Sequence, residues 1–308
     1  MKRYKLKQAI KEQKGATVVV VALMMVILMG FAAVVIDAGL VYIDRQRLVN
    51  TVDAAALAAA QDLVLNEGAA VETAKDYIRK NGFDPADFRI SASSSDKAVE
   101  VRGGDDVHFL FARLMGFMGT HVNSRSKAAI RPLTGTNGIR PLAVEKLQFV
   151  YGQQYRLKEG AGDSYNGNFG PVALGGTGAS NYRNNLKYGY AAKLKTGDWI
   201  STETGNMPTP TIEGIDYLMN QCPHTPKCTI TRYVPDCPRL VTIPVVDTLQ
   251  VNGRGQVQVV GFARFLLAGT VNDGGHMEVV GWFVRDIVPG DMGGDGQDFG
   301  LYGVKLIQ

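Results

Sequence analysis

The stretch Ala16-Thr-Val-Val-Val-Val-Ala-Leu-Met-Met-Val-Ile-Leu-Met-Gly-Phe-Ala-Ala-Val-Val-Ile36 contains no charged side chain and no proline. As a helix rising ~1.5 Å per residue it spans roughly 31 Å, against about 30 Å for a bilayer core. One transmembrane crossing is therefore expected. The apolar run ends at Asp37, but helical spacing does not. Val41, Leu48, Val52, Ala55, Ala59 and Leu63 follow at steps of three, four and seven residues. Asp53 to Gln61 is mostly alanine, the best helix former. The sequence predicts one helix over 16–65 that leaves the membrane and continues on the aqueous side. Its small-residue face permits close approach to a neighbouring helix or domain, or helix-mediated oligomerisation.

Residues 1–15 form a basic leader. Lys2, Arg3, Lys5, Lys7, Lys11 and Lys14 stand against Glu12. Cations flanking a transmembrane run stay in the cytoplasm. The N-terminus is thus expected inside a single-pass protein of the cytoplasmic membrane, with everything after Asp37 extracytoplasmic. The whole chain has a net charge of only +4. The leader accounts for that excess, so the remainder gives no reason to expect nucleic-acid binding. A cleaved secretory signal is the competing reading, but its apolar core is usually shorter, about 7–15 residues.

Gly15, the apolar run, Val35-Ile-Asp-Ala-Gly39, Tyr42, Arg45, Arg47 and Asn50-Thr-Val-Asp-Ala-Ala-Ala-Leu-Ala-Ala-Ala60 form one pattern. It resembles the N-terminal region of the TadE/TadG-like proteins of the tight-adherence (Flp pilus) system. Asp37, Gly39 and Asp53 are the family-motif positions. The resemblance implies an envelope protein of a pilus or surface-assembly system, with the lipid bilayer and other pilus-assembly or envelope proteins as partners. Pilin-like members are cut after a glycine and carry a glutamate five residues into the mature chain. Here the corresponding bond joins Gly15 to Ala16 and the fifth position is Val20, so a retained membrane helix is expected. Longer TadG members carry a von Willebrand type A domain with an Asp-x-Ser-x-Ser motif, which this chain lacks.

The expected fold class is α+β. The long helix leads into a small α/β unit, followed by a mainly antiparallel β domain, sandwich or barrel-like. Residues 66–131 read as the small unit: a helix with Ala70, Val71, Ala74, Tyr77 and Ile78 on one stripe, then strands around Phe88–Ala92 and Val99–Val101. Asp106 is expected to cap a short helix carrying Val107, Leu110, Phe111 and Leu114. A last strand runs from His121 to Ile130. Residues 132–138, rich in Pro, Gly, Thr and Asn, read as a linker. Residues 139–308 show short strand signals between glycine-rich turns, and one helical stretch at Ile212–Met219. In Gln256–Leu267, alternation puts Val257, Val259, Ala263, Phe265 and Leu267 on one face.

Cys222, Cys228 and Cys237 lie close in sequence. In an oxidising compartment the simplest outcome is one disulfide among them and one free thiol. The sharper alternative adds His224 and makes a zinc site, since three thiolates and one imidazole can bind zinc tetrahedrally. The simpler reading implies no metal and no cofactor. The Gly175-Gly-Thr-Gly178 loop lacks the third glycine of a dinucleotide fingerprint and a following helix pattern, so tight turns are expected. Asp291, Asp295 and Asp298 offer oxygen ligands for calcium without the calcium-loop order. His108 and His121 have no ligand partner at metal spacing, and no nucleophile elbow occurs. No catalytic residue is assigned. A non-enzymatic membrane-anchored subunit or assembly factor of a Tad/Flp-type apparatus is the leading expectation. A tethered adhesin or ligand-binding module is the alternative, ahead of an envelope hydrolase.

Overall fold

In the computed structural model the described residues are 14–159, 168–203, 207–250, 255–273, 276–293 and 296–307. The helix α1 runs from Lys14 to Asp62 without interruption. Its side chains from Val18 to Ile36 are exposed apart from a half-buried Ala33, and Asp37 is the first buried residue. Among the described residues this is the one helix long and apolar enough to cross a membrane.

Beyond Asp37 the same helix becomes the spine of a folded base. Leu48, Val52, Ala55, Ala56, Ala59 and Ala60 are fully buried. They pack on α2 (Glu67–Lys80) through Ala70, Ala74 and Ile78, and on a sheet through Val99, Val101, Ala128 and Ile130. The alanine run thus serves close packing inside the chain. Asn66 begins α2 as its N-cap, its side chain accepting from the Ala69 amide at 2.8 Å, which satisfies one orphan donor of the first turn.

The base sheet has the order β1 (Phe88–Ser93), β2 (Ala98–His108), β3 (Gly119–Thr136), β14 (Leu301–Ile307) and β12 (Asp286–Ile287). The pairings β1–β2, β2–β3 and β3–β14 are antiparallel, while β12 runs parallel to β14. Two expectations are corrected here. Val107 lies in β2, and the loop after that strand carries a short 3-10 helix at Ala112–Met115, which Asp106 does not cap. The stretch 132–136, expected as linker, is the end of β3. Pro132 sits opposite Tyr302 in the ladder, and Leu133 enters the second core. Proline and glycine mimic a linker there, yet Gly135 is small because Lys195 and Asp291 close over it. A Cβ would come within 3.0 Å of the Asp291 carboxylate.

The second sheet closes on itself. β10 (Gln256–Asp273) pairs with β9 (Leu240–Val246) and β11 (His276–Val284). β11 pairs with β5 (Gln154–Glu159), β5 with β6 (Asn168–Ala173), β6 with β4 (Leu142–Glu145), and β4 with β9. The result is a barrel in which β4–β9 and β5–β6 are parallel and the other pairs antiparallel. Closure leaves these strands without open edges. The mixed α+β class, with mainly antiparallel strands after the long helix, is as the sequence suggested.

The face assigned to β10 is wrong along part of its length. A bulge between Val259 and Gly261 shifts the alternation by one. Val257 and Val259 therefore join Phe262 in one core, whereas Ala263, Phe265 and Leu267 join another. Gly261 is needed at the bend, because a Cβ there would sit 2.5 Å from the Phe299 ring. Two helices pack together over the barrel: α3 (Ala179–Tyr188), which the sequence reading missed, and α4 (Pro208–Asn220). Leu186 and Ile215 are fully buried between them and the strands, and the Tyr182 hydroxyl lies 2.9 Å from Thr211 Oγ1.

Candidate functional site

Two arrangements bring chemistry together: the junction at Asp37 and the cysteine cluster. The loop joining β2 to β3 carries the short 3-10 helix at Ala112–Met115, whose own N-cap residue, Phe111, supplies no side-chain cap. The amides at such a terminus are unsatisfied. Asp37 fills them from α1. Its Oδ1 accepts from Leu110 N at 2.8 Å and Phe111 N at 3.2 Å, and its Oδ2 accepts from Ala112 N at 2.7 Å. One carboxylate thus pins the loop to the helix, one residue past the last apolar side chain. The loop then exposes Leu110, Phe111, Leu114, Met115, Phe117 and Met118, with Leu114 88% and Met115 80% exposed. Gly39 faces open space, and nothing in the structure explains it. Asp53 is half-buried and lines a cleft of about 740 Å³ with Glu100, Arg125 and Lys127. Gly15 and Ala16 lie in the first described turn of α1.

Residues 15–62 match the Tad family model, described as "Putative Flp pilus-assembly TadE/G-like". The match covers the apolar run, Asp37, Gly39 and the alanine-rich spine. The folded part after Asp62 lies outside it. No curated protein and no solved structure matches.

The second arrangement begins where α4 ends. The helix stops at Asn220 and delivers Cys222. The chain then loops through His224 and Cys228 and returns to Cys237, three residues before β9. The three sulfurs and a ring nitrogen of His224 all lie within 4.8 Å of one another. Cys222 Sγ is 3.6 Å and Cys228 Sγ 3.3 Å from His224 Nδ1, and Cys237 Sγ is 3.5 Å from Cys222 Sγ. All three cysteines are buried free thiols, and a disulfide needs about 2.05 Å. Leu240, Leu266 and Val284 back the cluster, on the face of the barrel wall away from Phe265.

The electrostatics of the four groups are uneven. Burial pushes the Cys222 thiol up. The amides of Cys228 and His224, the imidazole and the Cys237 thiol outweigh that and bring it down to about 6. Burial pushes Cys237 up to about 12, against the amide of Arg239. The Arg239 side chain is itself buried. Its Nη1 donates to Cys228 O at 2.7 Å, while Nε and Nη2 donate to Leu267 O at 3.0 and 2.7 Å. It fastens the cysteine loop to β10.

The remaining candidates resolve into ordinary structure. A helix does follow Gly178, contrary to expectation. Its N-terminal region is already occupied, since the buried Glu203 accepts from Gly178 N at 2.9 Å. Asp291 accepts from Lys193 at 2.8 Å. Asp298 accepts from Lys97, Gly300 N and Tyr302 Oη. Asp295 lies outside the described residues. His121 pairs on the surface with Asp106 at 2.8 Å.

Proposed function

We propose that the chain is a non-enzymatic, single-pass subunit or assembly factor of a Flp-type pilus or related surface-secretion apparatus. The observation that carries this reading is the division of α1. Its first half is apolar and bare, while its second half is the buried spine of the folded base, all within one unbroken helix. A cleavable signal has no need of such continuity, whereas a permanent anchor transmits position rigidly from bilayer to folded body. The family match over 15–62 supports pilus assembly as the setting. The basic leader supports a cytoplasmic N-terminus, and with it an extracytoplasmic position for residues 66–131 and 139–308, facing other envelope proteins.

The test is the intact mass and N-terminal sequence of protein extracted from membranes, combined with pilus counts in a deletion strain. An intact leader with loss of pili is the expected result. A new terminus at Ala16 would instead favour incorporation into the fibre. A terminus near Gly39, or undiminished pili, would overturn the proposal.

A further inference from the structure

We infer that Cys222, His224, Cys228 and Cys237 form a zinc site. Zinc bound by thiolates at about 2.3 Å and imidazole at about 2.0–2.1 Å, tetrahedrally, separates sulfurs by about 3.8 Å and sulfur from nitrogen by about 3.6 Å. The contacts found are 3.5 Å between sulfurs, and 3.6 and 3.3 Å from sulfur to nitrogen. Four donors converge within 4.8 Å of one another, and three of the four are buried in an apolar shell.

A second, independent observation is Arg239. Its guanidinium is buried, and among the described residues no carboxylate pairs with it. An uncompensated buried cation costs several kcal/mol. One divalent ion with three thiolates and a neutral imidazole carries a net charge of −1, placed directly beside this cation. Arg239 also touches the cluster through two backbone groups, the Cys228 carbonyl and its own amide toward Cys237. Such outer contacts orient ligands and tune affinity. Binding is an exchange without redox chemistry: the ion enters and each thiol that becomes a thiolate gives its proton to solvent. The role is structural, because four protein ligands leave no open position. The ion would lock the loop after α4 onto the barrel.

The experiment uses the full chain, purified in mild detergent without chelator. Elemental analysis should find one zinc per chain, with the three thiols unreactive until a chelator is added. Cobalt exchange should give the intense visible bands of a tetrahedral thiolate site. His224→Ala, at the half-buried edge, should weaken zinc binding by more than about tenfold while circular dichroism stays native. Two results would overturn the inference. One is a zinc-free protein carrying a disulfide among these cysteines. The other is a fully reduced, folded protein that takes up neither zinc nor cobalt.

The exposed loop supports a second inference, which rests on the membrane-anchor reading. We infer that residues 110–118 lie in the bilayer interface beside the helix. Six large apolar side chains are exposed on nine consecutive residues, and the Asp37 carboxylate holds them against the end of the apolar run. An apolar patch continuous with a membrane-spanning surface is covered by lipid. Arg113 can reach outward to phosphate headgroups. Leu114→Trp and Val26→Trp, each in the full chain in vesicles of brominated phosphatidylcholine, test this. The emission added to that of Trp199 and Trp282 should be quenched in both variants. Quenching of the Val26→Trp signal alone would overturn the loop's insertion. Quenching of neither would overturn the membrane anchor as well.

Discussion

Replacing Asp37 by asparagine keeps the size of the side chain and removes its charge. In the native protein both carboxylate oxygens accept from the run Leu110, Phe111 and Ala112, at distances between 2.7 and 3.2 Å. Asparagine retains one acceptor and turns a donor toward the other amide. Hydrogen bonds to a charged group contribute about 1.5–3 kcal/mol, neutral ones about 0.5–1.5, and an orphaned buried donor costs about 1–3. The loop should therefore open more readily in the variant. Loss of even one charge-assisted bond should raise amide exchange at Leu110–Ala112 by roughly tenfold or more. Hydrogen-exchange mass spectrometry of the protein in lipid nanodiscs reads this directly. Amides in the buried part of β3, at Ala128 and Ala129, serve as the unaffected reference. Unchanged protection of the loop in D37N would refute the claim that Asp37 is its clamp. Equal loss of protection in β3 would show that the effect is global instead of local.

Gly214→Ala places a Cβ 2.5 Å from Leu186 Cδ2 and 3.0 Å from its Cβ, where α3 and α4 touch. Overpacking of about 1–3 kcal/mol should exceed the helix-propensity gain of about 1, so urea unfolding should shift to lower concentration, and stabilisation would contradict the close approach. The Asp298 carboxyl is pushed up by burial, but the Lys97 ammonium, the Gly300 amide and the Tyr302 hydroxyl outweigh that and hold it below its ordinary value. A depressed carboxylate contributes stability above its unfolded pKa of about 3.9 and loses it as pH falls through the lower folded value. Stability measured from pH 6 down to about pH 2 should therefore fall less steeply in Asp298→Asn than in the native protein, by a margin that the partial exposure of the pair keeps small. Identical acid profiles would remove Asp298 from the account.

The apolar run, the helix that outlasts it and the buried stripe Leu48, Val52, Ala55, Ala59 and Leu63 could all be read from sequence, because they rest on local composition and a 3.6-residue period. So could the strands at Phe88–Ala92 and His121–Ile130, which alternate over a single buried face. The four cysteine-cluster residues were also visible as a set. Their spacing alone left two chemistries open, a disulfide or a metal, and the separations of their donor atoms depend on how α4 and β9 hold the two ends of the loop. Other features were decided only by tertiary contact. Pro132 to Thr136 has the composition of a linker, yet it is strand because Tyr302, the segment Asp291–Met292 and the segment Leu194–Lys195 pair with it from far along the chain. The Val259–Gly261 bulge reverses a face that alternation had assigned, since no local signal fixes the register of β10 against β9. Asp37 stands in the family motif, but its partners lie more than seventy residues away. Sequence determines what a segment can bury and over what period. Which distant backbone closes a hydrogen bond, and which four side chains meet, follows from the packing of the whole chain.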